Sequence, residues 1–195
     1  VIILHGRGAH PDWSDVINPL RSELPAHGWQ TLSIQLPVAE AGAKDLVYQG
    51  LIPEALPRIA AAIDYFDQQG VQNVAIVAHS LGTLMGAAYL AENADSDAIK
   101  GFVAISMPLV EGEGAANVPE VLGKLKVPML DIYGSRDIAS VRNTVRQRAI
   151  AIRKGEGNAY RSLEIEGADH FFIGLESVLV GRVNGWLRTV ITTVD

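Results

Sequence analysis

The sequence predicts a three-layer α/β/α sandwich built around a mostly parallel sheet of about six strands. Short, evenly apolar β-type runs recur along the chain, helical periodicity fills the gaps, and the two alternate from end to end. The runs fall at residues 1–4, 31–35, 74–78, 101–106, 129–133 and, more weakly, 161–165. They lack the in–out alternation of half-exposed antiparallel strands. They suit strands covered on both faces and joined by right-handed crossovers.

The helices follow in order. Residues 14–26 place Val16, Ile17, Leu20 and Leu24 on one face. Residues 53–69 do the same with Leu56, Ile59, Ala60, Ile63 and Phe66, with Pro53 suited to a first turn and Gly70 to a C-terminal cap. A stretch rich in Ala, Leu and Met covers 81–93, a short helix 118–125, an amphipathic basic one 140–153, and a last one 174–190.

The 195 residues make one domain, 1–195, large enough for a full core. Hydrophobic residues are 48% and charged residues 19%, an ordinary globular balance that leaves no disordered tract. A net charge of −6 without a Lys/Arg cluster argues against nucleic acid or an anionic membrane as partner. The absence of cysteine excludes disulfides, thiol catalysis and thiolate metal sites. No apolar stretch reaches the ~20 residues that span a bilayer. The histidines lack metal-ligand spacing such as H-E-x-x-H, so neither metal nor other cofactor is expected. Val1 already opens a buried strand and is not a starting methionine. We therefore expect a processed or excised piece that lacks an N-terminal region.

In such a fold, chemistry belongs at the C-terminal ends of the strands. The first strand runs into His5-Gly6-Arg7-Gly8, whose glycines allow a tight turn with exposed N–H groups. That suits an oxyanion hole shared by Leu81 with Arg7 or Gly8. The same residues could be a plain βα loop; a G-x-G-x-x-G fingerprint fails because Pro11 takes the third glycine position. The third strand runs into Ala78-His79-Ser80-Leu81-Gly82, with small residues two before and two after a serine at a strand–helix junction. This is the pattern of a nucleophile elbow, although a serine there is also an ordinary helix cap.

The fifth strand leads to Tyr133-Gly134-Ser135-Arg136-Asp137, and the sixth to Gly167-Ala168-Asp169-His170-Phe171-Phe172. Singly, Asp137 reads as a turn residue and His170 as packing. Jointly, Ser80, Asp137 and His170 supply a weak nucleophile, a base titrating near neutrality and a carboxylate to orient it, each just past a strand end. Asp169 competes with Asp137 for the acid role. Its adjacency to His170 points it elsewhere.

These motifs resemble the α/β-hydrolase superfamily over essentially the whole chain, in particular serine esterases, lipases and acyl-transfer enzymes. The opening 5–13 and the run 27–37 resemble a bacterial family of α/β-hydrolase-like proteins of unknown function. Many of those are exported with an extra N-terminal region, so the resemblance suggests a periplasmic or secreted location and leaves a cytoplasmic one open. It also implies a minimal α/β-hydrolase fold. Ala78 replaces the commoner glycine, and the usual first two strands are missing.

The expected activity is cleavage of a small-molecule carboxylic ester through an acyl-enzyme on Ser80. An acyltransferase or thioesterase would use the same groups, and a non-catalytic binding module would share the fold. Trp13, Leu109 and Phe171 are expected pocket walls, while Phe172 fits the core equally well. Residues 37–52 and 107–126 are the candidate covers, with 111–116 reading as a mobile surface loop. His79 is expected to pack beside the elbow and His5 to shape its loop, with His10 and His27 near the surface. Arg7 and Arg136 neighbour the site and could meet an anionic group or stay solvated.

Overall fold

A computed structural model describes residues 1–109, 117–155 and 159–191. Six strands form one all-parallel sheet in the order β2-β1-β3-β4-β5-β6. They are β1 (Ile2–Leu4), β2 (Leu32–Ile34), β3 (Val74–His79), β4 (Ile99–Ile105), β5 (Met129–Gly134) and β6 (Tyr160–Ile165). Leu4 pairs with Ala78, and Ala78 with Ala104, so the loops leaving β1, β3 and β4 emerge side by side. The order places the switch point of the sheet at β1 and β3, where open α/β sheets hold their ligands.

Strand periodicity sorts the core into two layers. Ile2, Leu4, Ile76, Ala78, Phe102 and Ala104 point to one face, which is covered by α3 (Ile52–Gln68), α4 (Leu81–Glu92), α5 (Val118–Gly123) and α7 (Val145–Arg153). Ile3, Val77, Val103, Ile105 and Ile132 point to the other, under α1 (Ile17–Glu23) and α8 (Glu176–Val190). With both faces covered, the central strands can be apolar throughout, which is why they carry no alternation. α4 is nearly all buried. A Cβ on Gly86 would lie 3.1 Å from the Phe102 ring and 3.2 Å from Leu4, so this helix needs a glycine to reach the sheet.

Three elements depart from the expected pattern. The helix expected over 14–26 starts only at Ile17, and its end tightens into a 3-10 turn over Leu24–His27, where Pro25 carries no N–H for the ladder. The single helix expected over 140–153 is two, α6 (Ala139–Arg142) and α7. Thr144 Oγ1 bonds the carbonyls of Ser140 (2.6 Å) and Val141 (3.0 Å), and Arg148 takes Val141 as well (2.9 Å). Side chains therefore occupy acceptors that the helical ladder would need.

Residues 37–52 contain an unanticipated helix, α2 (Asp45–Gln49), whose Tyr48 is buried with Leu36 in the α3/α4 core. Among the described residues, no helix is long and apolar enough to cross a membrane.

Candidate active site

The elbow between β3 and α4 forces Ser80 to φ 52°, ψ −127°, a backbone region that a side-chain-bearing residue rarely adopts. Its neighbours must be small for the turn to close. A Cβ on Gly82 would sit 2.4 Å from the His5 carbonyl oxygen, and one on Gly6 would sit 3.0 Å from Ser80 Cβ. Ala78 meets the same demand inside the sheet, where it is buried against β1 and β4.

Ser80 Oγ lies 2.9 Å from His170 Nε2, and His170 Nδ1 lies 2.6 Å from Asp137 Oδ1. An ionised carboxylate only accepts, so Nδ1 carries the proton and Nε2 presents a lone pair to the Ser80 hydroxyl. Asp137 is otherwise saturated. Oδ2 accepts from Ser106 Oγ (2.5 Å) and the Gly134 N–H (3.5 Å), and Oδ1 also from the Ile138 N–H (2.7 Å). Burial alone would raise this carboxyl, but the bonds from His170 and Ser106 outweigh it and hold the pKa below the usual carboxylate range.

Ser106 is the residue that sequence reasoning missed. It ends an apolar strand with φ 52°, fully buried, and turns its hydroxyl onto Asp137. The available signal was a polar residue closing the apolar run of β4.

The competing carboxylate is occupied elsewhere. Asp169 Oδ1 accepts from the N–H groups of Phe171 (3.0 Å) and Ile173 (3.2 Å), bracing the histidine loop from within. Arg136 ties that loop to the acid turn through the Gly167 carbonyl (2.8 Å), and Ser135 Oγ accepts the Gly167 N–H (2.8 Å). Gly134 allows the close approach, because a Cβ there would meet the Ala168 oxygen at 2.2 Å.

His5 shapes its loop as expected and does more. Nδ1–H donates to the Gly6 carbonyl (2.8 Å), and Nε2 accepts the Leu36 N–H (3.0 Å), pinning the loop after β1 to the chain after β2. Burial lowers its pKa, in keeping with a ring whose Nε2 accepts a backbone N–H.

The Ser80–His170 pair opens into a cleft of about 330 Å³ lined by Gly6, Arg7, Ala9, Trp13, His79, Leu81, Pro108, Ile138 and Phe171. Trp13 and Phe171 line it; Phe172 is core. Leu109 is a correction. It is buried in the α3/α4 core, and Pro108 forms the wall instead, because the chain bends inward to bond Leu109 N–H to Ser140 (3.1 Å).

Leu81 opens α4, whose first-turn N–H groups have no acceptor within the helix. Arg7 reaches the cleft; Gly8, at φ +68°, makes the turn and does not line it. Residues 37–52 contribute no wall, and the loop at 111–116 lies outside the described residues. A larger open depression of about 800 Å³ between α5 and α7 has no serine or histidine among the described residues that line it, so size alone does not mark the site.

This architecture is that of the α/β hydrolases. Similar solved structures include Est1E from Butyrivibrio proteoclasticus with ferulic acid bound (TM-score 0.77, 18% identity, 98% of this chain and 89% of that one). Dienelactone hydrolase from Anabaena variabilis gives 0.72 at 21% identity over 97% and 85% of the two chains. An alpha-beta serine hydrolase homologue from Coxiella burnetii gives 0.67 at 17% identity over 97% and 84%. No curated protein matches the sequence. Residues 1–47 and 53–189 match the family described as protein of unknown function (DUF3530), and the chain belongs to that family.

Proposed function

We propose that this protein is a serine hydrolase that cleaves small carboxylic esters through an acyl-enzyme on Ser80. The observation that carries the reading is the continuous chain Ser80 Oγ–His170 Nε2–Asp137 Oδ1 at 2.9 and 2.6 Å, opening on a cleft. Ser80 Oγ attacks the ester carbonyl as its proton passes to His170 Nε2, while Asp137 stabilises the imidazolium that forms. The N–H groups of Leu81 and Arg7 receive the developing oxyanion, reinforced by the N-terminus of α4. His170 returns the proton to the leaving alcohol. A water then attacks the acyl carbon as His170 takes its proton, the bond to Ser80 Oγ breaks to release the acid, and His170 returns the proton to Ser80 Oγ.

The cleft favours compact substrates with an apolar or aromatic acyl group, which Trp13, Pro108, Ile138 and Phe171 would contact. A fluorophosphonate probe should label Ser80 in the native protein. Ser80→Ala should lose both label and turnover while keeping its melting temperature. Retention of most of the ester turnover in Ser80→Ala would end the proposal.

A further inference from the structure

The histidine before Ser80 is also tied to His170. His79 Nε2 lies 2.9 Å from the main-chain carbonyl oxygen of His170, and the two rings are 5.1 Å apart. A carbonyl can only accept, so His79 is the tautomer with its proton on Nε2. The loop bearing His170 is irregular, and the acid turn holds it at Gly167, at Ala168 and at the His170 ring through Asp137. His170 is thus gripped twice by adjacent residues of the elbow, at its carbonyl by His79 and at its ring by Ser80. The Phe171 ring closes against both imidazoles, 5.8 Å from His79 and 5.1 Å from His170. Space for the His79 ring comes from Gly6, where a Cβ would lie 3.3 Å from His79 Nδ1.

Building on the proposed hydrolase activity, we propose that His79 is a positioning residue that sets the reach of His170 Nε2 to Ser80 through this carbonyl bond. The role requires a neutral, permanently donating ring. Burial, followed by the neighbouring His170, pushes the His79 pKa down to about 4. The titratable groups facing it are His170, Asp137 and His5. A charged His79 would disfavour the imidazolium that His170 must become.

The test pairs two variants with one measurement on the unaltered protein. His79→Leu removes the donor and should lower kcat about 10–100-fold with KM within a few-fold, the cost of a small misplacement of the base. His79→Gln, whose amide N–H reaches a similar point, should restore most of that loss. Equal damage in both folded variants, or full activity in His79→Leu, overturns the proposal.

Imidazole ¹⁵N spectra of the unaltered protein should show His79 protonated at Nε2 alone from about pH 8 to 5. A proton on Nδ1, or titration in the range of a free histidine, overturns it without any substitution. Failure of fluorophosphonate to label Ser80 would instead count against the hydrolase reading and leave the spectral result standing.

Discussion

Two buried carboxylates on the same strand and the loop beyond it serve different ends. Asp131, inside β5, is fully buried and gripped by Arg148 Nε (2.8 Å) and Nη2 (3.1 Å), with the Tyr160 hydroxyl at 2.8 Å. Arg148 Nη1 donates to the Val141 carbonyl and to Thr144 Oγ1, so the charge is held within the core. Asp137, just past the strand end, is 2% exposed and equally saturated, but its partner is His170. A guanidinium stays charged at any working pH and has no second role. An imidazole can both accept and donate a proton, and the far edge of this one faces Ser80 at the cleft. Burial and hydrogen-bond saturation therefore do not separate a structural carboxylate from the one proposed to orient a base. What the partner's far edge faces does.

Removing each carboxylate should break that contrast in opposite ways. Asp137→Asn should cut kcat on the order of 10⁴-fold, because the amide favours the wrong imidazole tautomer, while the melting temperature changes little. A mild effect in steady-state kinetics would show that Asp137 does not orient His170.

Asp131→Ala strands the Arg148 charge in the core and should cost about 3–5 kcal/mol in denaturant unfolding, with activity per folded molecule retained. Replacing both partners, Asp131→Leu with Arg148→Met, should recover much of the loss. A double variant no better than Asp131→Ala would mean that the pair contributes more than mutual neutralisation.

Acid should act on the two sites in sequence. Below about pH 6.5 the unfolded chain protonates His79, whereas the folded protein keeps it neutral down to about 4. The unfolded state then binds more protons, and stability falls by roughly 3 kcal/mol across that window. His5, lowered by burial, adds in the same direction. Asp137, whose folded pKa is depressed, gives up its share only as pH drops further, through that folded value. The His79→Gln variant should show a shallower loss in thermal melts between pH 6.5 and 4. An unchanged slope would refute the linkage.

The smallest effect is expected at Asp169→Asn. The amide oxygen can still accept from Phe171 and Ile173, so turnover should stay within about threefold. A severe loss there, with Asp137→Asn mild, would reassign the acid.

The elbow was legible because its constraint is local. A tight strand–helix turn needs small residues at fixed offsets, and Ala78, Ser80 and Gly82 write that demand into five positions. The layered fold was legible for a similar reason, since strands covered on both faces must be apolar throughout. The acid was readable only by chain order, since Asp137 and Asp169 both sit beside loops near His170. What decided between them was where Asp169 spent its lone pairs.

Ser106 and the Asp131–Arg148 pair left almost no local trace, because their partners are remote in sequence and meet only once β4, β5 and α7 have packed. Leu109 illustrates the limit in reverse: an apolar residue at a strand end is equally fit for pocket or core, and the path of the chain settles it. The sequence by itself determined the alternation of strands and helices, the elbow and the order of the three polar groups, all set by backbone sterics and short-range periodicity. Only the tertiary structure decided which carboxylate faces His170, that Ser106 bonds Asp137 and His79 bonds the His170 carbonyl, and which side chains line the cleft. Those outcomes depend on long-range packing, which brings together donors and acceptors that the linear chain keeps apart.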